Sequence, residues 1–329
     1  MKLAKSTYVK IGLILLLCLL VCGWLGGCLR GNRNWDAWGS PWWPLGGVAG
    51  CMAFEPLSDV VKDSAVTAPD DYEGPRNAHA DAWGQGSFEA DAADVSAIEL
   101  NWLAGKVNVR VVPDEETGGA IRATEMLSGR APQMQWELSS GGVLTISYMG
   151  GMQGFSGLSG CSNATMGSKE LELLIPDSMQ DDLQRFELEA ASGEYAIDGA
   201  DRGTLCSMLE LGVASGSVYV NDVAVDVLEV TLASGRISFG GDVTQTLSID
   251  QASGELTFGG CSVPPADITG SLASGRIVLE LPAETALTAQ VDKTTGSFRN
   301  DFEGTQGGEG ATCKLDFDIL SGSLELIAS

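Results

Sequence analysis

The sequence is poor in the residue types on which most enzymes and nucleic-acid-binding proteins depend. Its 329 residues include a single histidine, His79, and only 19 lysines and arginines against 44 aspartates and glutamates. His79 stands in a stretch without apolar periodicity, which makes it a poor general base. The spacings of a nucleophile elbow, an HExxH site, a P-loop and a zinc site are missing as well. The sequence therefore predicts a protein that is not an enzyme and has no cofactor, apart from weak Ca²⁺ binding discussed below.

The few basic residues are also unevenly placed. Five of them, ending at Arg33, precede the first acidic residue, Asp36, so the rest of the chain carries 14 basic and 44 acidic residues, a net charge of 14 − 44 = −30. Such a surface repels phosphate backbones, which argues against nucleic acid as a partner. Proteins, glycans and cations remain as partners.

The one long apolar run is "IGLILLLCLLVCGWLGGCL", residues 11–29, which is close to the length of a membrane-spanning helix. Three lysines precede it and predict a cytoplasmic N-terminus. Two alternatives stay open: a retained helix, or a secretory signal in which Gly26 and Gly27 before Cys28 resemble a bacterial lipobox whose cysteine is lipidated. Both assign residues 1–28 to a signal or membrane anchor and predict a protein attached to the bacterial cell membrane, with the ectodomain on the extracytoplasmic side.

Two further regions follow the anchor. Residues 29–93 are rich in tryptophan at first, then in glycine, proline and alanine, and predict a flexible tether. Residues 94–329 contain a repeat, interrupted by an irregular insertion near 149–168. The ectodomain cysteines are odd in number and irregularly spaced, so no disulfide framework is predicted. Cys206 and Cys313 are expected to be buried free thiols.

The repeat is visible in "LEVTLASGRISFGG" (228–241) and "LSIDQASGELTFGG" (247–260). Each copy centres on a glycine, with apolar residues seven and five places before it and two and four places after it. A degenerate eighth copy surrounds Gly105, and only Gly270 and Asn300 break the apolar rule among 32 such positions. The repeat glycines are Gly193, Gly216, Gly235, Gly254, Gly275, Gly296 and Gly322.

The period of two on both sides of each glycine predicts strands with one buried face, and hence an all-β domain. Glycine allows a corner with positive φ, and small neighbours let successive corners stack closely. Two architectures satisfy this pattern. An antiparallel meander or sandwich would pair the two strands of one repeat, whereas a β-solenoid would stack one coil per repeat. The solenoid explains better why the same residues return in the same register.

The positions six and four places before each glycine point away from the core and are mostly acidic. A charged, solvated face is the simplest interpretation. The functional alternative is a stripe, represented by Glu210, Glu229 and Asp250, that binds a divalent cation such as Ca²⁺ weakly or docks on a basic partner. The acidic residues at these positions are Glu99, Glu187, Glu189, Glu210, Glu229, Asp250, Asp292, Asp316 and Asp318.

Several segments together resemble the bacterial putative-adhesin domain family with β-strand repeats, whose function is largely unassigned. They are "IELNWLAGKVNV" (98–109), "LELLIP" ending at Pro176, "FELEAASGEYAIDG" (186–199) and the later Ala-Ser-Gly copies. The resemblance covers about residues 94–329 and implies a cell-envelope protein without catalytic residues. We therefore expect a non-enzymatic, membrane-anchored surface protein that acts as an adhesin or scaffold. The alternative is an envelope sensor whose ectodomain binds a ligand or partner.

Overall fold

The regular elements in the described part of the chain are almost all β-strands. The computed structural model describes residues 84–128, 133–148, 169–180, 182–199, 203–302 and 313–329. These residues form 20 strands, one short helix, α1 (Asp114–Thr117), and 3-10 turns at Ala92–Asp94 and Asp177–Met179. The all-β prediction is confirmed. Within the described ranges, no helix is long and apolar enough to cross a membrane. The predicted anchor with Cys28, the tether as far as residue 83 and the insertion 149–168 lie outside the described residues.

Each repeat forms one coil, in which the strand before the glycine lies in one ladder and the strand after it in another. We call these the upstream and downstream ladders. In spatial order the upstream ladder contains β7 (Val143–Ser147), β3 (Ala97–Trp102), β9 (Arg185–Ala190), β11 (Thr204–Val213), the second part of β12 (Ser217–Leu232), the second part of β13 (Arg236–Gln251), β15 (Asp267–Leu272), β19 (Cys313–Ile319) and β17 (Leu287–Lys293). The downstream ladder contains β8 (Lys169–Pro176), β4 (Lys106–Val112), β10 (Glu194–Asp198), the first parts of β12 and β13, β14 (Glu255–Gly259), β16 (Arg276–Leu281), β20 (Ser323–Ala328) and β18 (Ser297–Asn300).

All these pairings are parallel and join neighbouring coils. The predicted β-solenoid is therefore confirmed, and the alternative antiparallel meander is wrong because the two strands of a repeat do not pair with each other. The coil passes from the downstream to the upstream ladder inside β12 and β13, which run through the bend. In β12 the register shifts between Asn221 and Val223, and Asp222 adopts a φ of 53°.

The last two coils are stacked in an order that differs from their order in the sequence. The C-terminal coil, β19–β20, lies between the β15–β16 coil and the β17–β18 coil. This arrangement explains why Gly270 breaks the apolar rule. A Cβ atom at Gly270 would lie 2.7 Å from the ring of Phe317 and 2.2 Å from the carbonyl oxygen of Ile249, so glycine leaves the space that Phe317 fills.

The apolar positions of the repeat form the core between the two ladders. All of them are buried except Ala289, Val291 and Phe298, and these three belong to the β17–β18 coil at the end of the stack. The degenerate copy around Gly105 is a true coil, since its four apolar side chains are fully buried. The other exception to the repeat, Asn300, lies in the same terminal coil, and its side chain accepts a hydrogen bond from the Phe302 N–H at 2.9 Å.

Antiparallel strands cover the opposite end of the solenoid. β5 (Ala120–Leu127) pairs with β8 and β2 (Phe88–Asp91), whereas β6 (Gln135–Leu138) pairs with β7 and β1 (Gly84–Gln85). The rings of Phe88 and Trp136 stack at 4.5 Å between centroids. The predicted tether boundary at residue 93 is therefore wrong, because residues 84–91 belong to this cap. Strands of two and four residues are too short to show a period of two in the sequence.

The repeat glycines form a column along the solenoid. Gly193, Gly216, Gly235, Gly254 and Gly275 have φ values from 97° to 124°, as predicted for corners. A Cβ atom at each of them would lie 2.3–2.6 Å from the carbonyl oxygen of the preceding glycine in the column. Close backbone stacking therefore requires glycine as much as the corner conformation does.

Two of the predicted corners differ from this conformation. Gly296 and Gly322 lack a positive φ, yet they continue the column: their Cβ atoms would lie 2.7 Å from Gly322 O and 2.9 Å from Gly275 O, respectively. At these two coils glycine is required by the close approach of neighbouring backbones alone. The interpretation of Cys206 and Cys313 as buried free thiols is confirmed, and Cys261 is buried as well.

Candidate functional site

The outward-pointing side chains of the upstream ladder form two parallel rows, which we call the acidic face. The first row contains the residues six places before the eight corner glycines, together with Thr145 of β7, which pairs with Glu99: Thr145, Glu99, Glu187, Glu210, Glu229, Ser248, Thr269, Asp316 and Gln290. The second contains the residues four places before these glycines, together with Ser147 of β7, which pairs with Asn101: Ser147, Asn101, Glu189, Gly212, Thr231, Asp250, Ser271, Asp318 and Asp292. Neighbouring strands lie about 4.8 Å apart, so equivalent side chains face one another directly.

Four glutamates are consecutive in the first row, and one arginine lies beside them. The row runs Glu99–Glu187–Glu210–Glu229. Arg185 lies two residues before Glu187, on the same side of β9, and its guanidinium is 2.6 Å from Glu187, 2.5 Å from Glu210 and 3.7 Å from Glu99. The side chains of these four interacting residues are only 14–16% exposed. The ion pairs are thus much less hydrated than ordinary surface pairs.

Glu189 adds a fifth carboxylate from the second row. The residue is 7% exposed, and its carboxylate makes no hydrogen bond or ion pair with another described residue. Carboxylates this close repel one another, and burial further disfavours their ionised form. We call Arg185 and the five glutamates Glu99, Glu187, Glu189, Glu210 and Glu229 the acidic cluster. Fully ionised, it would hold five negative charges and one positive charge.

The electrostatics of the acidic cluster follow from burial and mutual repulsion. Burial, aided by the neighbouring carboxylates Glu210, Glu99 and Glu189, raises the pKa of Glu187 to about 8 although Arg185 opposes the shift. Burial, with a smaller contribution from Glu210, raises the pKa of Glu229 to about 7. The pKa of Glu189 is raised for the same reasons, burial first. Glu187 and Glu229 therefore have pKa values near neutral pH, and Arg185 supplies one positive charge for the five carboxylates of the cluster.

The predicted cation stripe is only partly brought together. Glu210 and Glu229 lie directly opposite each other, but Asp250 is in the second row, where it accepts a hydrogen bond from Ser271 Oγ at 2.5 Å. Glu210 already has Arg185 as its counter-charge. Among the residues that the structure describes, no three His, Cys, Asp or Glu side chains are arranged to hold a metal ion. Calcium binding stays a prediction, without a preformed site to support it.

The outer face of the downstream ladder differs sharply in its charge pattern. Arg236 pairs with Glu255 at 3.0 Å, and Arg276 pairs with Glu325 at 2.9 Å, so positive and negative side chains alternate across the coils. We call this the mixed-charge face. Its ion pairs are more exposed and balance locally, whereas the acidic cluster concentrates charge of one sign. The acidic face is therefore the stronger candidate for a functional surface.

The sequence reasoning missed Arg185 and a second feature, a buried pair of Lys169 and Glu125. Arg185 could have been found, because it stands eight places before Gly193 and so follows the same alternation as the acidic residues. The pair could not, because it depends on the antiparallel contact between β5 and β8, which lies outside the repeat.

The model of the Toastrack DUF4097 family matches residues 95–272, more than half of the chain. None of the curated proteins matches the chain.

Solved structures with a similar arrangement include one described as a putative cell adhesion protein from Clostridium sporogenes, which is 14% identical, with 75% of this chain and 100% of that chain covered at a TM-score of 0.36. A putative adhesin from Bacteroides fragilis is 10% identical, with 74% and 97% covered at a TM-score of 0.45. A putative adhesin from Parabacteroides distasonis is 16% identical, with 74% and 97% covered at a TM-score of 0.40. These likenesses are too distant to transfer a function. The family match is sufficient for one conclusion: the chain belongs to the Toastrack DUF4097 family.

Proposed function

We propose that this chain is a non-enzymatic surface protein of the bacterial cell membrane, whose solenoid docks a basic protein partner on its acidic face. Attachment would be through the N-terminus, by a retained helix or by lipidated Cys28, with the solenoid on the extracytoplasmic side. The apolar run 11–29 supports the attachment, and the distribution of charge supports the docking. The role is that of an adhesin or scaffold.

The observation that carries the proposal is the row Glu99–Glu187–Glu210–Glu229 with Arg185. The pKa values of about 7 for Glu229 and about 8 for Glu187 mean that keeping these carboxylates ionised in the folded protein costs free energy. Their burial therefore does not contribute to stability. A partner's lysine or arginine side chain would remove that cost on arrival. Positive charge at the partner's surface would also accelerate the encounter.

The shape of the surface suits a scaffold. Nine parallel strands about 4.8 Å apart give the acidic face a length on the order of 40 Å, and stacked repeats present extended binding surfaces of this kind. The partner's basic groups would meet carboxylates that the strands hold at fixed positions.

The test compares two triple variants of the full-length chain with equal net charge. Glu187→Gln/Glu210→Gln/Glu229→Gln removes three of the five carboxylates of the acidic cluster, whereas Glu170→Gln/Glu194→Gln/Glu284→Gln removes three exposed carboxylates elsewhere. Live bacteria that produce each variant are allowed to adhere to a surface coated with a lysine-rich peptide. We expect the first variant to lose most of the adherence at low salt and the second to retain it. Equal losses, or none, would contradict the proposal, because net charge alone or another surface would then govern binding.

A further inference from the structure

The cap holds an ion pair that is almost completely removed from solvent. Lys169 begins β8, and Glu125 lies on the antiparallel strand β5, where the register pairs Leu127 with Lys169 and Glu125 with Leu171. Lys169 Nζ is 2.7 Å from Glu125 Oε1, and the two side chains are 0% and 2% exposed. Ion pairs this deeply buried gain little stability over apolar residues of equal volume, so stability alone does not account for this one.

The surroundings of the pair are dry and orient both groups. The ring of Tyr148 lies 4.2 Å from Lys169 Nζ and the ring of Trp102 lies 5.3 Å from it. Lys169 Nζ also donates a hydrogen bond to the backbone carbonyl of Tyr148. On the other side, the backbone N–H of Met134 donates to Glu125 Oε1 at 2.7 Å. The amine and the carboxyl group are thus fixed in contact, with a hydrogen-bond donor on the oxygen that would become negative if the amine attacked.

We propose that Lys169 and Glu125 condense to form an intramolecular amide bond that joins β5 covalently to β8. Within the pair, one proton passes from Nζ to the carboxylate and comes to lie on Oε2, which produces a neutral amine and a carboxylic acid with Oε1 as its carbonyl oxygen. The Nζ lone pair attacks Cδ, and the new C–N bond forms while the electrons of the C=O bond move to Oε1. Oε2 then takes a second proton from nitrogen and leaves as water, and the C=O bond is restored. The products are one amide and one water molecule, with no oxidant or other reactant.

Three physical effects favour this step. Burial lowers the pKa of Lys169 despite the opposing effect of Glu125. The neutral, nucleophilic form of the amine is therefore more populated than in an exposed lysine. The fixed contact replaces a collision between two groups with an intramolecular encounter, which raises the effective concentration of the reactants greatly. The Met134 N–H stabilises the developing charge on Oε1 as an oxyanion-hole donor does.

The bond would close a covalent ring that contains residues 125–169. It would fasten the cap to the first coils of the solenoid, and any chain break inside the ring would leave the two fragments joined. For a protein exposed outside the cell, this would preserve the solenoid after proteolytic nicking. The inference is independent of the acidic face and of the proposed partner.

Mass spectrometry of the full-length chain tests the bond directly. Trypsin would release residues 123–130, which contain Glu125, and the amide would block cleavage after Lys169. We expect a branched peptide in which residues 123–130 are joined to residues 131–185, lighter by one water molecule than the sum of the two. Lys169→Arg keeps a positive charge but offers a guanidinium that is far less nucleophilic, so this variant should give only linear peptides.

The control for folding is the circular dichroism of the variant, which should retain the strand signal of the wild-type chain. A folded wild-type protein that gives the linear peptide 123–130 and normal cleavage after Lys169 would overturn the proposal. In that case the pair would be an ion pair only. A branched peptide from the Lys169→Arg variant would also overturn the proposal, because the cross-link would then involve a residue other than Lys169.

Discussion

Replacement of Glu187 by glutamine should stabilise the protein at neutral and alkaline pH and have little effect at acid pH. Glu187 lies in the middle of the four-glutamate row, and its pKa rises from 4.5 to about 8 on folding. Folding therefore holds a proton on this carboxyl group that the unfolded chain has already released. The cost of this difference is absent below pH 4.5, increases as pH rises, and is complete above pH 8. Glutamine keeps the hydrogen-bonding oxygen for Arg185 and removes the titration.

The magnitude follows from proton linkage. Between the two pKa values, each pH unit costs about 1.4 kcal/mol of folding free energy per titrating group. From pH 5 to pH 8 the wild-type chain should therefore lose roughly 3–4 kcal/mol through Glu187 alone. The variant should lack this loss, so the difference in unfolding free energy between variant and wild type should grow by that amount over the same window.

Urea unfolding of the full-length protein in detergent, followed by circular dichroism at half-unit steps from pH 5 to pH 8, measures the difference. Glu170→Gln is the matched control, because Glu170 is exposed on β8. It should leave the pH profile of the wild type unchanged. If the Glu187→Gln and wild-type profiles run parallel, the acidic cluster does not store electrostatic free energy, and the argument for a charged docking site fails.

Three other predictions concern the corners, the cation stripe and the anchor. Gly235→Ala should cost roughly 2–5 kcal/mol of unfolding free energy, because its φ is 109° and the new Cβ would lie 2.3 Å from Gly216 O. Gly240→Ala, whose Cβ would meet its nearest neighbour at 3.6 Å, should cost less than about 1 kcal/mol, and equal costs would refute the stacked-corner explanation. Millimolar calcium should raise the melting temperature of the wild type slightly but not that of Glu210→Gln/Glu229→Gln/Asp250→Asn. If the melting temperatures of both proteins shift equally, or neither shifts, the acidic stripe is a solvated face that does not bind cations. Cys28→Ala should abolish metabolic lipid labelling if the lipobox is used and preserve membrane retention if the helix remains, whereas full-length protein in the soluble cytoplasmic fraction would contradict both.

Most of the solenoid could be predicted from the sequence because each coil repeats one physical requirement. Buried side chains at alternate positions, such as Leu228 and Val230, and a glycine at each corner recur in the same register, so a single copy predicts its neighbours. The acidic face follows from the same register, since positions between buried residues must point outward.

The remaining features depend on contacts that the repeat does not encode. The spacing of the repeats does not indicate that the β19–β20 coil lies before the β17–β18 coil in the stack. Only Gly270 reflects this order in the sequence, because it leaves space for Phe317 of β19. The cap strands are too short for periodicity. The degree of burial of the acidic row, on which its raised pKa values depend, is set by how side chains from adjacent coils cover one another.

The most direct test of the docking surface is photo-crosslinking on living cells. A photoreactive phenylalanine derivative is placed in the full-length chain either at Thr269, which is exposed in the first row of the acidic face, or at Glu194, which is exposed on the mixed-charge face. Illumination should link the chain to a basic protein from Thr269, and addition of salt before illumination should abolish the product. A product from Glu194 alone, or a product from Thr269 that persists at high salt, would contradict docking through the acidic face.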